Sequence, residues 1–405
     1  MMKRSVISFF LIMIVLLSGC AAQSAKNTPD DSQIVGSVPT VEASPSDSQP
    51  ASTLPAGTPL DDSKVVGSMS LEYAKQFQVD YLAGGCDLIT INEGSRFLLV
   101  PEGKTPPSNM DKDITVLHQP VEKIYLAATS AMCLFDALGS LDNISMSGTK
   151  ADGWYIENAK VAMENGKITY AGKYSAPDYE MIMSNGCSLA IEDTMISHSP
   201  EVQKKLEDVG VPVWIDRSSY EPHPLGRTEW IKLYGLLVGK EDQAEKLFDE
   251  QAAYLDSIPS DNTGKSAAFF YISSAGSAVV HKNGDYLTKM IELAGGNPAF
   301  TNLGDDSATG SANLDMETFY ADAKDADVII YNSSIDGEIN SLKELLAKSP
   351  LIADFKAYKS GNVWCTNKNL FQQTTEFGLM ISDMHRIFTG DADGKDQLNF
   401  LYRLK

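Results

Sequence analysis

Chemistry in this chain could come from its cysteines, its histidines and a few placed carboxylates. Five cysteines and five histidines are spread over 405 residues. Cys86, Cys133, Cys187 and Cys365 follow Cys20 at wide, irregular spacing without a Cys-x-x-Cys pair. They allow two disulfides in three pairings, or none, and the spacing does not suit structural zinc. Cys133 and Cys187 lie in apolar surroundings, where a buried thiol is the usual role. A bare Mn²⁺ or Zn²⁺ site needs three or four converging His and carboxylate ligands, and the spacing of His198, His223 and His281 does not show whether they converge. The chain has no Gly-x-Ser-x-Gly elbow, no His-Glu-x-x-His and no phosphate-binding Gly-x4-Gly-Lys-Ser/Thr loop. No catalytic residue, metal site or resident cofactor is therefore expected. One echo stands out: Glu180 in PDYEMIMSNGCSLAIE and Glu317 in LDMETFYADAKDADVIIYN each open a short helix that leads into an apolar strand. An acidic first turn also suits the helix dipole, so the echo alone leaves both readings open.

The elements that must position these groups follow from periodicity. Residues 226–255 carry Trp230, Leu233, Leu237, Ala244, Leu247, Phe248, Ala252 and Leu255 mostly at three- and four-residue spacing, which predicts one long helix. Gly235 and Gly239 are its weak points, and Pro222, Pro224 and Pro259 bound it. At 1.5 Å per residue it would span about 45 Å. A strut between two α/β lobes is the simplest arrangement; a helix laid across one sheet is the alternative. Short apolar strands alternate with helices before it, at 123–127, 144–147, 189–191 and 211–215, and again after it, at 266–272, 328–331 and 362–366. That rhythm argues parallel, doubly wound sheets. Residues 77–100 alternate apolar and polar around Gly84-Gly85 and Asn92-Glu93-Gly94, as a β-ribbon does. The expected class is thus α/β, with two doubly wound lobes joined by one long rigid helix and an N-terminal β-ribbon extension. The expected ranges are 69–118 for the ribbon, 119–223 for the first lobe, 224–258 for the helix and 259–405 for the second lobe.

Residues 1–20 have the parts of a secretory leader: Lys3 and Arg4, an apolar run from Val6 to Leu17, then Leu17-Ser18-Gly19-Cys20. Small residues before a cysteine resemble the lipobox of bacterial lipoproteins, in which the thiol is acylated. The expected location is the extracytoplasmic face of the cell membrane, held by lipid on Cys20 alone. Residues 21–68 are Ser, Thr, Pro, Asp and Ala with little apolar content, the composition of a flexible tether. The net charge of −21 and the lack of a basic cluster argue against a nucleic-acid partner.

Leader, tether, two α/β lobes and one long helix together resemble the substrate-binding lipoproteins of ABC importers, in the group that carries cobalamin and iron-siderophores. The resemblance covers roughly residues 120–390 and is strongest in AGKYSAPDYE, SSYEPHPLGRTEWIKLYG and YNSSIDGEI. It implies a monomer that captures an iron complex (siderophore or haem) or a corrinoid between the lobes. It also implies a permease partner, with Glu180 and Glu317 matching the outer glutamates that dock into its arginines. Ligands of such proteins sit at the carboxyl ends of the strands. With the resemblance, that rule points to Thr129, Ser130, Lys150, Trp154, Lys173, Tyr174, His198, Tyr220, His223 and Arg227. In the second lobe it points to Ser273, Ser274, His281, Asn332, Ser333, Asn369 and Phe371. Each has a structural reading too: Thr129-Ser130 as a helix cap, Trp154 as core, Arg227 as a partner of Glu221 or Glu229. The competing classes are a secreted, lipid-anchored hydrolase and a lipoprotein that only senses or scaffolds.

Overall fold

The computed structural model describes residues 63–405 apart from Glu93, Asn109 and Asp336. The leader, Cys20 and the tether up to residue 62 lie outside the described residues.

An N-terminal sheet comes first: β1 (Val65–Ser68), β2 (Phe77–Leu82), β3 (Asp87–Ile91), β4 (Arg96–Val100) and β5 (Ile114–His118), paired in that order. The first three pairings are antiparallel, and β5 lies parallel to β4. Two expectations change here. The ribbon is a five-stranded sheet, because residues 101–113 loop back and add a parallel strand. Strand β1 also falls inside the stretch assigned to the tether, where it pairs with β2. Alternation sets the two faces. Phe77, Val79, Ile89, Ile91, Phe97 and Leu99 join the main core, whereas Leu82, Cys86, Leu98 and Val100 form a small core with Leu88, Met110 and Ile114.

In the first lobe β6 (Ile124–Leu126), β7 (Ile144–Ser147) and β8 (Thr169–Tyr170) are followed by a small antiparallel pair, β9 (Gly172–Lys173) and β10 (Ala176–Pro177). Then come β11 (Leu189–Asp193) and β12 (Val213–Asp216). The lobe's sheet is wholly parallel, in the order β12-β11-β6-β7-β8. Helices α1 (Met132–Ala137) and α2 (Glu157–Glu164) cover one face, α3 (Tyr179–Ser184) and α4 (Pro200–Asp208) the other. The strand order reverses between β6 and β11, which makes their carboxyl ends the crevice of the sheet.

The long helix is two helices, a correction to the continuous strut expected over 224–258. Helix α5 (Pro224–Val238) ends at Gly239, which takes a left-handed conformation with φ 70°, and α6 (Glu241–Asp256) starts afresh. Gly235 lets α6 fold back closely, since a Cβ there would lie 2.5 Å from the Ala244 Cβ. Helix α5 is buried along its whole length, and α6 buries mainly Ala244 and Phe248.

The second lobe contains β13 (Ser266–Ile272), β14 (Ala278–His281), β15 (Asn297–Pro298), β16 (Ser311–Leu314), β17 (Val328–Tyr331), β18 (Val363–Thr366) and β19 (Leu401–Arg403). Only β13, β17 and β18, with short β15, pair in parallel; at the flanks β14 and β19 run against them, and β16 pairs antiparallel with β14. This sheet is therefore mixed rather than purely parallel. Helices α7 (Tyr286–Leu293) and α11 (Phe377–Thr389) pack on one face. Helices α8 (Met316–Ala323), α9 (Leu342–Lys348) and α10 (Lys356–Ser360) pack on the other. Helix α11 seats tightly on α6: a Cβ at Gly378 would lie 2.2 Å from the Gln251 carbonyl oxygen.

Candidate functional site

Strand β6 runs out through Ala127-Ala128 into a helical turn at Thr129–Ala131, and β7 into Gly148 and the turn Ala151–Gly153 before Trp154. The two exits pass so closely that a Cβ at Gly148 would lie 2.8 Å from the Ala127 Cα, and only glycine fits. In the second lobe, β18 leads through Asn369 into a crossing segment, residues 369–376, which reaches the first lobe.

That segment makes three sets of contacts. The Gln372 amide donates to the Gly153 carbonyl at 2.9 Å, while its oxygen accepts from the Tyr155 N–H at 2.8 Å. The Thr374 hydroxyl lies 3.2 Å from the Cys133 sulfur and donates to the Ser130 carbonyl at 3.3 Å. The Thr228 hydroxyl, on α5, donates to the Thr374 carbonyl at 2.7 Å. The turns Thr129–Ala131 and Leu370–Gln372 thereby meet across the lobes, with Trp154 between the two backbone groups that Gln372 holds. Sequence reasoning missed Gln372 and Thr374. The available signal was their place in the polar run Gln372-Gln373-Thr374-Thr375, in the connection that follows β18.

A second group gathers where α5 meets α7 and α11. The Arg227 guanidinium lies 4.0 Å from the Tyr286 ring centre and 5.8 Å from that of Phe377. It pairs with neither Glu221 nor Glu229, whose carboxylates face the N-terminal sheet instead. Asp285 is held below the usual carboxylate range: burial pushes it up, but His281 at 2.9 Å, the Leu287 N–H and Arg227 outweigh that. Among the described residues, buried polar atoms without a hydrogen-bond partner include Trp154 Nε1, Arg227 Nε, Asn332 Nδ2 and Asn369 Oδ1. Buried orphans are uncommon and costly, about 1–3 kcal/mol each, so those that follow strands, on Trp154, Asn332 and Asn369, suit a site that polar ligand atoms complete.

Other candidates have local partners. Asn332 and Ser333 shape the exits of β17 and β18: the Asn332 side-chain oxygen accepts from the Ser334 N–H at 3.1 Å, and the Ser333 N–H donates to the Thr366 hydroxyl at 3.0 Å. Ser273 and Ser274 lie in the turn between β13 and β14, where the Ser273 hydroxyl accepts from the Ser277 N–H. His223 caps α5, accepting from the Leu225 N–H at 3.2 Å, and stacks on Tyr73 at 4.3 Å. Arg217 lies over the Tyr220 ring at 4.5 Å, and Lys150 over Tyr170 at 5.5 Å. Lys173 and Tyr174 belong to the β9–β10 hairpin, and His198 is exposed in the turn after β11. No cluster of three or more His, Cys, Asp or Glu able to hold a metal ion occurs among the described residues. Cys86, Cys133, Cys187 and Cys365 are buried thiols, not disulfides. A hollow of about 530 Å³ over α6 is an acidic helix face lined by Asp242, Glu245, Asp249 and Glu250, remote from the strand ends.

Glu180 and Glu317 are both exposed, and each is the second residue of its helix. Each helix is capped by an aspartate two positions earlier: Asp178 accepts from the Met181 N–H, and Asp315 from the Glu317 and Thr318 N–H groups. The two lobes thus repeat one Asp-x-Glu helix start. No described helix is long and apolar enough to cross a membrane.

Residues 128–370 match the family model described as periplasmic binding protein, more than half of the chain. An uncharacterized lipoprotein of Methanocaldococcus jannaschii is 26% identical over 307 residues, covering 72% of this chain and 70% of that one. A cobalamin-binding protein of Halobacterium salinarum is 22% identical over 273 residues, covering 66% and 69%. Among solved structures, a periplasmic haem-binding protein of Pseudomonas aeruginosa has a TM-score of 0.54 at 16% identity, covering 70% of this chain and 98% of that one. The catecholate-siderophore binding protein VctP of Vibrio cholerae has a TM-score of 0.51 at 16% identity, covering 65% and 92%. Lobe architecture, the converging strand ends and the matched span agree, and the chain belongs to the periplasmic binding protein family.

Proposed function

We propose that this protein captures an iron complex (a siderophore chelate or haem) or a corrinoid between its lobes and delivers it to an ABC importer. The observation that carries this reading is the meeting of the two lobes at their strand exits, the turn Thr129–Ala131 against Leu370–Gln372 and Gln372 bonded to the backbone on both sides of Trp154, with orphaned polar atoms on Trp154, Arg227, Asn332 and Asn369. The mixture suits a metal complex. Half-buried Phe371 offers apolar surface to a macrocycle or chelate ring and exposed Lys150 offers charge to its carboxylates, while buried Trp154 and Arg227 add theirs only when uncovered. Glu180 and Glu317 dock the loaded protein on arginines of the permease, one from each lobe, and that spacing sets orientation. Acylated Cys20 holds the body at the extracytoplasmic face of the membrane. No catalytic step belongs to the protein in this reading.

Absorbance and mass spectrometry of full-length protein purified with its cargo test the proposal. A Soret band, a corrin spectrum or a ferric charge-transfer band at near one per chain is the expected result. Folded protein that carries none of these and binds neither haemin, cyanocobalamin nor a ferric siderophore would refute it.

A further inference from the structure

Gln372 and Thr374 both cross from the second lobe to the first, yet their surroundings differ. Thr374 is 1% exposed and engages Cys133, Ser130 and Thr228 from three sides. Gln372 is only part-buried, at the rim, and grips just the two backbone groups flanking Trp154: the Gly153 carbonyl and the Tyr155 N–H. One side-chain amide thus closes a ring around the loop that carries Trp154, leaving that indole 3% exposed. The ring satisfies the backbone but not the side chains, for Trp154 Nε1, and Asn369 Oδ1 three residues before Gln372, are both buried without partners. A buried indole N–H without an acceptor disfavours the closed arrangement, so an incoming acceptor stabilises an alternative.

We propose that Gln372 is a latch: it holds the Trp154 loop shut over the cleft, and it yields when an acceptor-bearing edge of the ligand, such as a carboxylate or chelate oxygen, takes the indole N–H. Thr374 stays as the fixed joint. The latch rests on the reading that the ligand lies between the lobes, and it makes Gln372 a positioning residue that acts through Trp154.

The test uses the intact protein without ligand. Trp214, Trp230 and Trp364 are fully buried, so a change in acrylamide quenching of tryptophan fluorescence reports Trp154. Gln372→Ala is expected to raise the quenching constant at least twofold and to speed exchange of the Tyr155 amide at least tenfold. Gln372→Glu, which still accepts from the Tyr155 N–H but cannot donate to the Gly153 carbonyl, is expected to raise the quenching constant while the Tyr155 amide stays protected. In a Trp154→Phe background the rise in quenching should vanish. Unchanged quenching and exchange in Gln372→Ala, or a Gln372→Glu protein that behaves as wild type, would overturn the latch. Both readouts are free of ligand. Failure to bind any chelate would therefore overturn the proposed function and the ligand's part in release, while the ligand-free readouts alone decide whether Gln372 holds the Trp154 loop.

Discussion

Two glutamates at the start of α5 hold five successive backbone amides of the N-terminal region. Glu229 accepts from the N–H groups of Glu72, Tyr73 and Ala74, each at 2.8 Å. Glu221 accepts from Lys75 and Gln76 and from the Trp230 indole. Glu229 is fully buried, and Lys232 lies 3.2 Å from it. Replacing Glu229 with Ala strands three buried amides and leaves Lys232 with Glu245 as its one remaining carboxylate, so it should cost about 3–5 kcal/mol, read by urea denaturation. His223 offers a pH signal. Burial, reinforced by Lys289 and Lys75, lowers its pKa to about 4. The folded state therefore takes up its proton later than the unfolded chain, so the stabilising contribution is complete above the ordinary value near 6.5 and is lost as pH falls through 4. Denaturation midpoints should drop over that window, and His223→Asn, which retains a cap acceptor, should flatten the drop. None of this was legible from sequence. Glu221, His223 and Glu229 acquire their partners from residues more than 140 positions earlier, beyond the reach of spacing arguments.

The α5–α6 pair shows how far periodicity carries at the scale of elements. The apolar spacing over 226–255 is helical throughout, and helix is what forms on both sides of Gly239. Periodicity does not sense a corner, because one left-handed residue turns the axis without disturbing the pattern. The glycines noted as weak points hold that information: Gly239 supplies the positive φ and Gly235 the space for Ala244. Gly239→Ala should destabilise by about 1–2 kcal/mol through backbone strain alone. Gly235→Ala should cost about 1–3 kcal/mol through overpacking against Ala244, and thermal melts of the two variants would compare them. Strands of the parallel core were legible because they are short apolar runs. The antiparallel flanks β14, β16 and β19 were not, since Ser311–Leu314 and Leu401–Arg403 are too short and too mixed to stand out. Strand ends also marked much of the site, but the crossing segment at 369–376 has no apolar period to advertise it.

Over the whole molecule, the break between α5 and α6 does not undo the two-lobed reading. Helix α5 is buried against the first lobe, and α6 receives α11 from the second, so the pair joins the lobes as a packed corner. Exposed Glu180 and Glu317 make a prediction at this scale: the double change to Ala should leave chelate affinity within twofold while lowering uptake in cells at least tenfold. Normal transport would remove both from docking. A ligand held between the lobes should show in hydrogen exchange measured with and without the captured complex. Slowed exchange is expected in residues 127–130 and 148–155 of one lobe together with 369–376 of the other. Protection confined to a single lobe, or to the N-terminal sheet, would contradict it.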